Sequence, residues 1–176
     1  MSRSLIYLVA GARPNFMKIA PIVRALQARA ERFEFRIVHT GQHYDREMSD
    51  VFFDELGIPK PDYHLEAGGG SHATQTAEIM VAFEEICQNV RPDCVLVVGD
   101  VNSTLACSID AKKLNIPVVH VEAGLRSGDM RMPEEINRLV TDSISDWFFC
   151  TEPAGVANLL NEGKNKDVVF NVGHVM

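Results

Sequence analysis

A doubly wound α/β fold built on a parallel, Rossmann-like sheet is predicted by three features of the chain. Continuous apolar runs rich in Val, Ile and Phe recur along it, helical periodicities separate them, and each run opens into a polar or Gly-rich loop. The runs are Leu5 to Ala10, Phe35 to Val38, Cys94 to Val98, Val118 to Val121, Trp147 to Phe149 and Val168 to Phe170. Unbroken apolar character of this length suits strands buried on both faces, as in a parallel sheet.

The elements between the runs follow in order. Ile19, Ile22, Val23 and Leu26 recur at helical spacing, then Ile79, Phe83 and Ile86, then Leu105, Ile109 and Leu114, then Ile136, Leu139, Val140 and Ile144. Pro14, Pro21, Pro133 and Pro153 are expected near helix starts, where the missing N–H costs nothing. Alternation of strand and helix with short connections argues for right-handed βαβ units, whose strands all open at their carboxyl ends onto one edge. No repeat or low-complexity tract interrupts the pattern.

Composition sets the frame for function. The 176 residues are 46% hydrophobic and 23% charged, the balance of one globular domain spanning 1–176. A net charge of -7 argues against nucleic-acid or anionic-membrane partners, which need a cationic footprint, while leaving room for a locally cationic pocket. The apolar run at Leu5 to Ala10 is too short for a signal h-region or a membrane span, so the chain reads as cytoplasmic. Cys87, Cys94, Cys107 and Cys150 lie in apolar segments without C-x-x-C pairing, which predicts buried free thiols and no metal role.

The loops carry the chemistry. Gly11-Ala12-Arg13-Pro14-Asn15 lacks the further glycines of a dinucleotide fingerprint, and no G-x-x-x-x-G-K-[ST] occurs. Instead Arg13 and Lys18 stand at the mouth and first turn of a helix, a place that favours phosphate; a capped carboxylate and a solvated lysine are the plain alternatives. The loop His39-Thr40-Gly41-Gln42-His43 is dense in hydrogen-bonding groups, and Gly68-Gly69-Gly70-Ser71-His72 would let backbone approach a ligand. His39 and His43 are an i, i+4 pair, but they straddle a strand end and bring no third ligand, so zinc is rejected.

Carboxylates complete the set. Asp100 in Gly99-Asp100-Val101-Asn102 and Glu122 in Val121-Glu122-Ala123-Gly124-Leu125-Arg126 each follow a strand directly and should face one crevice, although Asp100 could cap the next helix and Glu122 could pair with Arg126. Glu134 opens a helix at Pro133-Glu134-Glu135, where acids also suit the dipole. Carboxylates beside cations are what proton transfer next to a phosphate leaving group requires.

Taken together, Gly11 to Lys18, His39 to His43, Gly99 to Thr104, His120 to Arg126 and Met132 to Arg138 resemble the non-hydrolysing UDP-N-acetylglucosamine 2-epimerases, in order and along essentially the whole chain. The resemblance is to the amino-terminal half of that family. It implies one half of a glycosyltransferase-B type two-domain architecture, with a carboxy-terminal nucleotide-binding domain absent from this chain and the chain inactive alone. It implies reversible interconversion of UDP-GlcNAc and UDP-ManNAc by UDP elimination and re-addition, without a cofactor or metal, in the service of cell-surface polysaccharide synthesis. By motif position Asp100, Glu122 and Glu134 are the acid/base carboxylates, with either face of the sugar open to each, and Arg13, Lys18, Gln42, His43, Asn102 and Arg126 meet the substrate. A homodimer is implied for the full-length protein, though Ile79, Met80 and Phe83 suit a helix covering the sheet. The continuation Tyr44-Asp45-Arg46-Glu47-Met48 departs from the spacing of substrate-regulated members, and Ser127 to Met132 sits where the sugar could be tuned. A sugar-nucleotide-binding module and a transferase of the same architecture are the alternatives.

Overall fold

A computed structural model describes residues 3–11, 13–41 and 46–174. Seven parallel strands run in the order β3-β2-β1-β4-β5-β6-β7. They are β1 (Ser4–Ala10), β2 (Phe33–His39), β3 (Tyr63–His64), β4 (Cys94–Val98), β5 (Val118–Val121), β6 (Trp147–Cys150) and β7 (Val169–Asn171). The predicted doubly wound sheet is therefore present, with every apolar run inside or overlapping a strand. Strand β3 has no counterpart in the sequence pattern, because a two-residue edge strand pairing only Val38 with Tyr63 and His39 with His64 is too short to show periodicity.

Period-two alternation sorts the strand side chains onto two faces. Tyr7, Val9, Val95 and Val97 pack with Ile79, Phe83 and Cys87 of α3 (His72–Asn89) and with Ala106, Cys107 and Ala111 of α4 (Asn102–Lys113). Leu8, Ala10, Leu96, Val98, Val119 and Val121 pack on the other face with Phe16, Ile19, Ala20 and Val23 of α1 (Arg13–Gln27) and with Phe53 of α2 (Arg46–Leu56). Ile79 and Phe83 are fully buried and Met80 packs beside them, so α3 covers the sheet as expected. Cys87, Cys107 and Cys150 are buried free thiols, and burial pushes the Cys87 thiol up to about 12.

Prolines behave as predicted at three positions of four. Pro14 lies in the first turn of α1, and Pro133 and Pro153 open α5 (Pro133–Ile144) and α6 (Pro153–Asn161). Pro21 instead sits inside α1, because the helix starts at Arg13, and it deprives the Met17 carbonyl of its intrahelical partner.

Helix α5 spans the predicted helical spacing but buries a polar side. Ile136 is 43% exposed and Leu139, Val140 and Ile144 are half-buried, whereas Glu135, Asn137, Thr141 and Asp142 are buried. The polar side is turned inward because it meets His120 of β5 and the loops at the carboxyl edge of the sheet, whose polar groups need partners.

Strand order reverses between β1 and β4. The chain leaves β1 for β2 and β3 on one side, then returns to place β4 on the other, so the loops after β1 and β4 part there and leave a crevice. No helix among the described residues is long and apolar enough to cross a membrane.

Candidate functional site

Four elements meet at that crevice. Helix α1 leaves β1 immediately, and the Asn15 amide donates to the Val98 carbonyl at 2.8 Å, tying the start of α1 to the end of β4. One turn on, the Lys18 ammonium donates to the Glu122 carboxylate beyond β5, and both side chains are largely covered. Beyond β4, Asp100 accepts from the Arg138 guanidinium of α5 at 2.5 Å. Two carboxylates, each paired with a cation, thus stand at the ends of adjacent strands.

The backbone there is tightly specified. Gly99 has φ of 74°, and a Cβ on it would lie 3.2 Å from Glu122 Oε2, 3.3 Å from Asn15 Nδ2 and 3.6 Å from Lys18 Nζ. Only glycine gives both the conformation and the room. Glu122 itself adopts φ of 70°, a left-handed conformation that costs a side-chain-bearing residue about 1–2 kcal/mol. Strain of this kind persists where the surroundings over-determine it, and here the Glu122 N–H is held by the Phe149 carbonyl at 2.8 Å.

Asp100 is not a helix cap. The N-cap of α4 is Val101, which has no side-chain cap bond, and the Asp100 carboxylate is turned to Arg138 instead. Nor does Glu122 pair with Arg126; it pairs with Lys18. Arg126 is directed away, donating through Nη1 to Asp142 at 2.7 Å and through Nε and Nη2 to Glu162 at 2.8 and 2.7 Å. Asn102 donates to Gln75 at 2.6 Å, meets His72 Nδ1 at 3.0 Å, and accepts from Asn137 at 3.2 Å, which joins the starts of α3, α4 and α5 at the same edge. Arg13 is exposed, its guanidinium 5.0 Å from the Phe52 ring centroid. Glu134 is exposed in the first turn of α5, four residues before Arg138 on the same helical stripe. Gln42 and His43 lie outside the described residues.

Several polar residues that shape the site were not singled out from sequence. Glu135, 2% exposed, accepts from the Ser127 and Gly128 N–H groups, each at 2.9 Å, and from Arg138 at 2.9 Å. Burial alone would raise its carboxyl; these donors more than offset it and hold it at about 2. Arg138 therefore bridges Glu135 and Asp100. The second buried group is His120, whose Nδ1 faces Asp142 Oδ1 at 2.6 Å and whose Nε2 faces the Gly99 carbonyl at 2.8 Å. Asp142 also accepts from the Gly124 N–H at 3.0 Å. Against the effect of burial, His120 and Arg126 keep its carboxyl below the usual carboxylate range. A signal for His120 did exist: it is the one ionisable residue in Val118-Val119-His120-Val121, and a titratable side chain in a doubly covered strand must have a built partner.

His39 is also buried at the end of β2, and burial together with nearby His64 lowers it to about 4, so it is neutral at physiological pH. No group of three or more metal-ligating side chains occurs among the described residues. The arrangement offers paired carboxylates for proton transfer and cations for an anionic leaving group.

Comparison with known proteins bears on what that chemistry serves. The profile of the family described as UDP-N-acetylglucosamine 2-epimerase matches residues 24–176. A Methanococcus maripaludis protein named UDP-N-acetylglucosamine 2-epimerase homolog is 52% identical over 171 residues, which is 97% of this chain and 47% of the relative. The Pseudomonas aeruginosa UDP-2,3-diacetamido-2,3-dideoxy-D-glucuronate 2-epimerase is 47% identical, over 97% of this chain and 49% of the relative. The crystal structure of Methanocaldococcus jannaschii UDP-GlcNAc 2-epimerase in complex with UDP-GlcNAc and UDP superposes with a TM-score of 0.91 at 43% identity, covering 97% of this chain and 46% of that one. The lipopolysaccharide outer core galactosyltransferase WaaB shares the fold alone, with a TM-score of 0.68 at 11% identity. The chain spans about half the length of the curated relatives it matches.

Proposed function

The chain belongs to the UDP-N-acetylglucosamine 2-epimerase family, and from that premise we propose that it is the amino-terminal half of a two-domain enzyme that interconverts UDP-GlcNAc and UDP-ManNAc. The observation that carries the reading is the pair of carboxylate–cation contacts, Lys18 with Glu122 and Arg138 with Asp100, at the point where the strand order reverses. In the reaction a base takes the C2 proton as the C1–O bond to UDP breaks, leaving a 2-acetamidoglucal. UDP then re-adds at C1 while an acid returns a proton to the opposite face of C2. An arriving diphosphate gives the Lys18 and Arg138 cations another anionic partner, which frees their carboxylates to handle protons in a water-poor crevice. Glu134, exposed on the Arg138 stripe, is the third carboxylate of the set, and Arg13 stands ready for phosphate at the start of α1.

The complete enzyme is read as a cytoplasmic homodimer, with the second domain closing over the nucleotide. Transfer to an acceptor is the weaker reading, since simple transfer has no use for carboxylates directed at C2. The test is proton NMR of UDP-GlcNAc incubated in heavy water with the complete polypeptide, with the diacetamido uronic acid analogue run alongside. Deuterium at C2 and a manno product are expected, and Glu122→Gln or Asp100→Asn should lower kcat by about 10²- to 10⁴-fold with a much smaller change in KM. Absence of exchange with both nucleotide sugars would remove the epimerase reading.

A further inference from the structure

A fully buried ionisable group lies directly behind the proposed site. His120 is fully buried in β5, and both of its ring nitrogens face acceptors, the Asp142 carboxylate on one side and the Gly99 carbonyl on the other. A neutral imidazole carries one N–H and cannot donate to both. The second oxygen of Asp142 is already occupied by the Gly124 N–H and the Arg126 guanidinium, donors that favour an ionised carboxylate. The ring is therefore held at both nitrogens, with Nδ1 turned to Asp142 and Nε2 to the Gly99 carbonyl, as a buried polar pair.

What the pair grips is specific. The Gly99 carbonyl belongs to the peptide unit whose N–H is that of Asp100, and the Gly99 N–H is held in turn by the Val121 carbonyl at 3.1 Å. Both polar groups of Gly99 are thus fastened to consecutive residues of β5, with the peptide ahead of Asp100 locked in a left-handed turn. On the other side Asp142 holds the Gly124 N–H, two residues after Glu122, where the backbone has φ of 80°. A Cβ on Gly124 would approach the Gly155 carbonyl oxygen to 2.2 Å, so this turn has no slack. One buried contact therefore fixes the two turns that present Asp100 and Glu122. A buried polar pair is weak evidence for stability by itself, since apolar residues of similar volume often replace such pairs at no cost.

We infer that His120 and Asp142 form a positioning dyad, which sets the spacing and orientation of the Asp100 and Glu122 carboxylates without touching substrate. This rests on the epimerase reading of the same crevice. Side-chain geometry supplies a discriminating pair of variants. In His120→Gln the amide nitrogen reaches roughly where Nε2 stood and can still donate to the Gly99 carbonyl. In His120→Asn it reaches only the Nδ1 position, so Asp142 keeps a donor and Gly99 loses one.

The experiment is C2 deuterium exchange and steady-state kinetics on the complete polypeptide and both variants, with rates normalised to folded protein by circular dichroism. His120→Asn is expected to lose about 100-fold in kcat and in exchange, since misplacing a reacting group by about 1 Å costs that much, with KM little changed. His120→Gln is expected to recover most of the loss. Wild-type exchange together with an unaltered kcat in folded His120→Asn, or equal losses in the two variants, would overturn the dyad while leaving the epimerase reading intact. No exchange in the wild type would instead end the epimerase reading. Should neither variant fold, nitrogen-15 NMR of the histidine-labelled wild type decides: a proton on His120 Nε2 supports the clamp, and a bare Nε2 overturns it because Gly99 would then have no donor.

Discussion

Helices α3 and α5 cover the same face of the sheet with opposite chemistry. Helix α3 buries Ile79, Phe83 and Cys87 against Tyr7, Val9 and Val97, an apolar stripe laid on the middle of the strands. Helix α5 buries Glu135, Asn137, Thr141 and Asp142, and Glu135, Arg138 and Asp142 follow one stripe at helical spacing to the loops that end β4 and β5. The first helix is held by area removed from water, which tolerates any residue of suitable shape. The second is held by charges that each need a particular partner, which is why it can specify where two loops stand. Distance from the carboxyl edge separates the two cases. Over the strands the partners are side chains; at the edge they are left-handed turns with free N–H and C=O groups.

Breaking the apolar side should have the largest effect. Phe83→Ala is expected to destabilise the domain by about 3–5 kcal/mol in urea denaturation, by lost transfer energy and an unfilled cavity, while activity per folded molecule stays unchanged. If activity fell with the packing, the division between the two helices would not hold.

Glu135 sharpens the polar side. Glu135→Gln should cost about 2 kcal/mol, because a neutral amide cannot accept from two backbone N–H groups and Arg138 at once. The pH dependence has a definite sign. Its carboxyl is held at about 2 in the folded state against an ordinary 4.5, so the stabilisation is complete above pH 4.5 and is lost as pH falls through about 2. The wild type should therefore lose stability across that window more steeply than the variant, which acid denaturation followed by circular dichroism would measure.

Asp110 of α4 gives the smallest effect and the clearest contrast with Glu135. It too is buried, but among the described residues its Oδ2 has no hydrogen-bond partner. Burial and then nearby Glu84 raise its carboxyl to about 6 from 3.8. Protonation favours the fold here, so this stabilisation is complete below pH 3.8 and lost as pH rises through 6. Asp110→Asn, which cannot ionise, should raise the melting temperature at pH 8 by about 2 °C and lose that advantage at pH 3.5. A destabilised variant at pH 8 would mean that Asp110 has a partner after all.

Much of this arrangement is legible in the sequence because strands buried on both faces leave a continuous apolar trace. Leu5 to Ala10, Cys94 to Val98 and Val118 to Val121 all lie within strands, and Asp100 and Glu122 follow two of them by only two and one residues, so their place at the edge follows from parallel topology. The reading weakened where a residue's role depends on a distant partner. Arg126 lies four residues from Glu122 yet reaches Asp142 and Glu162, and Glu122 found Lys18 instead, 104 residues away. The burial of Glu135 in α5 was not legible, because periodicity counts hydrophobic residues and cannot see that a carboxylate has three donors waiting.

By itself, then, the chain's order of apolar runs, helical spacings and edge loops determined six of the seven strands, the layers about them and the place of Asp100 and Glu122 at the carboxyl edge, since burial and backbone periodicity act locally. Tertiary structure decided which cation meets which carboxylate, that Glu135 rather than its neighbour is buried, and that His120 and Asp142 lock the turns at Gly99 and Gly124. Those outcomes depend on distances of a few ångströms between segments far apart in sequence, and a hydrogen bond or ion pair over that range has no periodic signature to read.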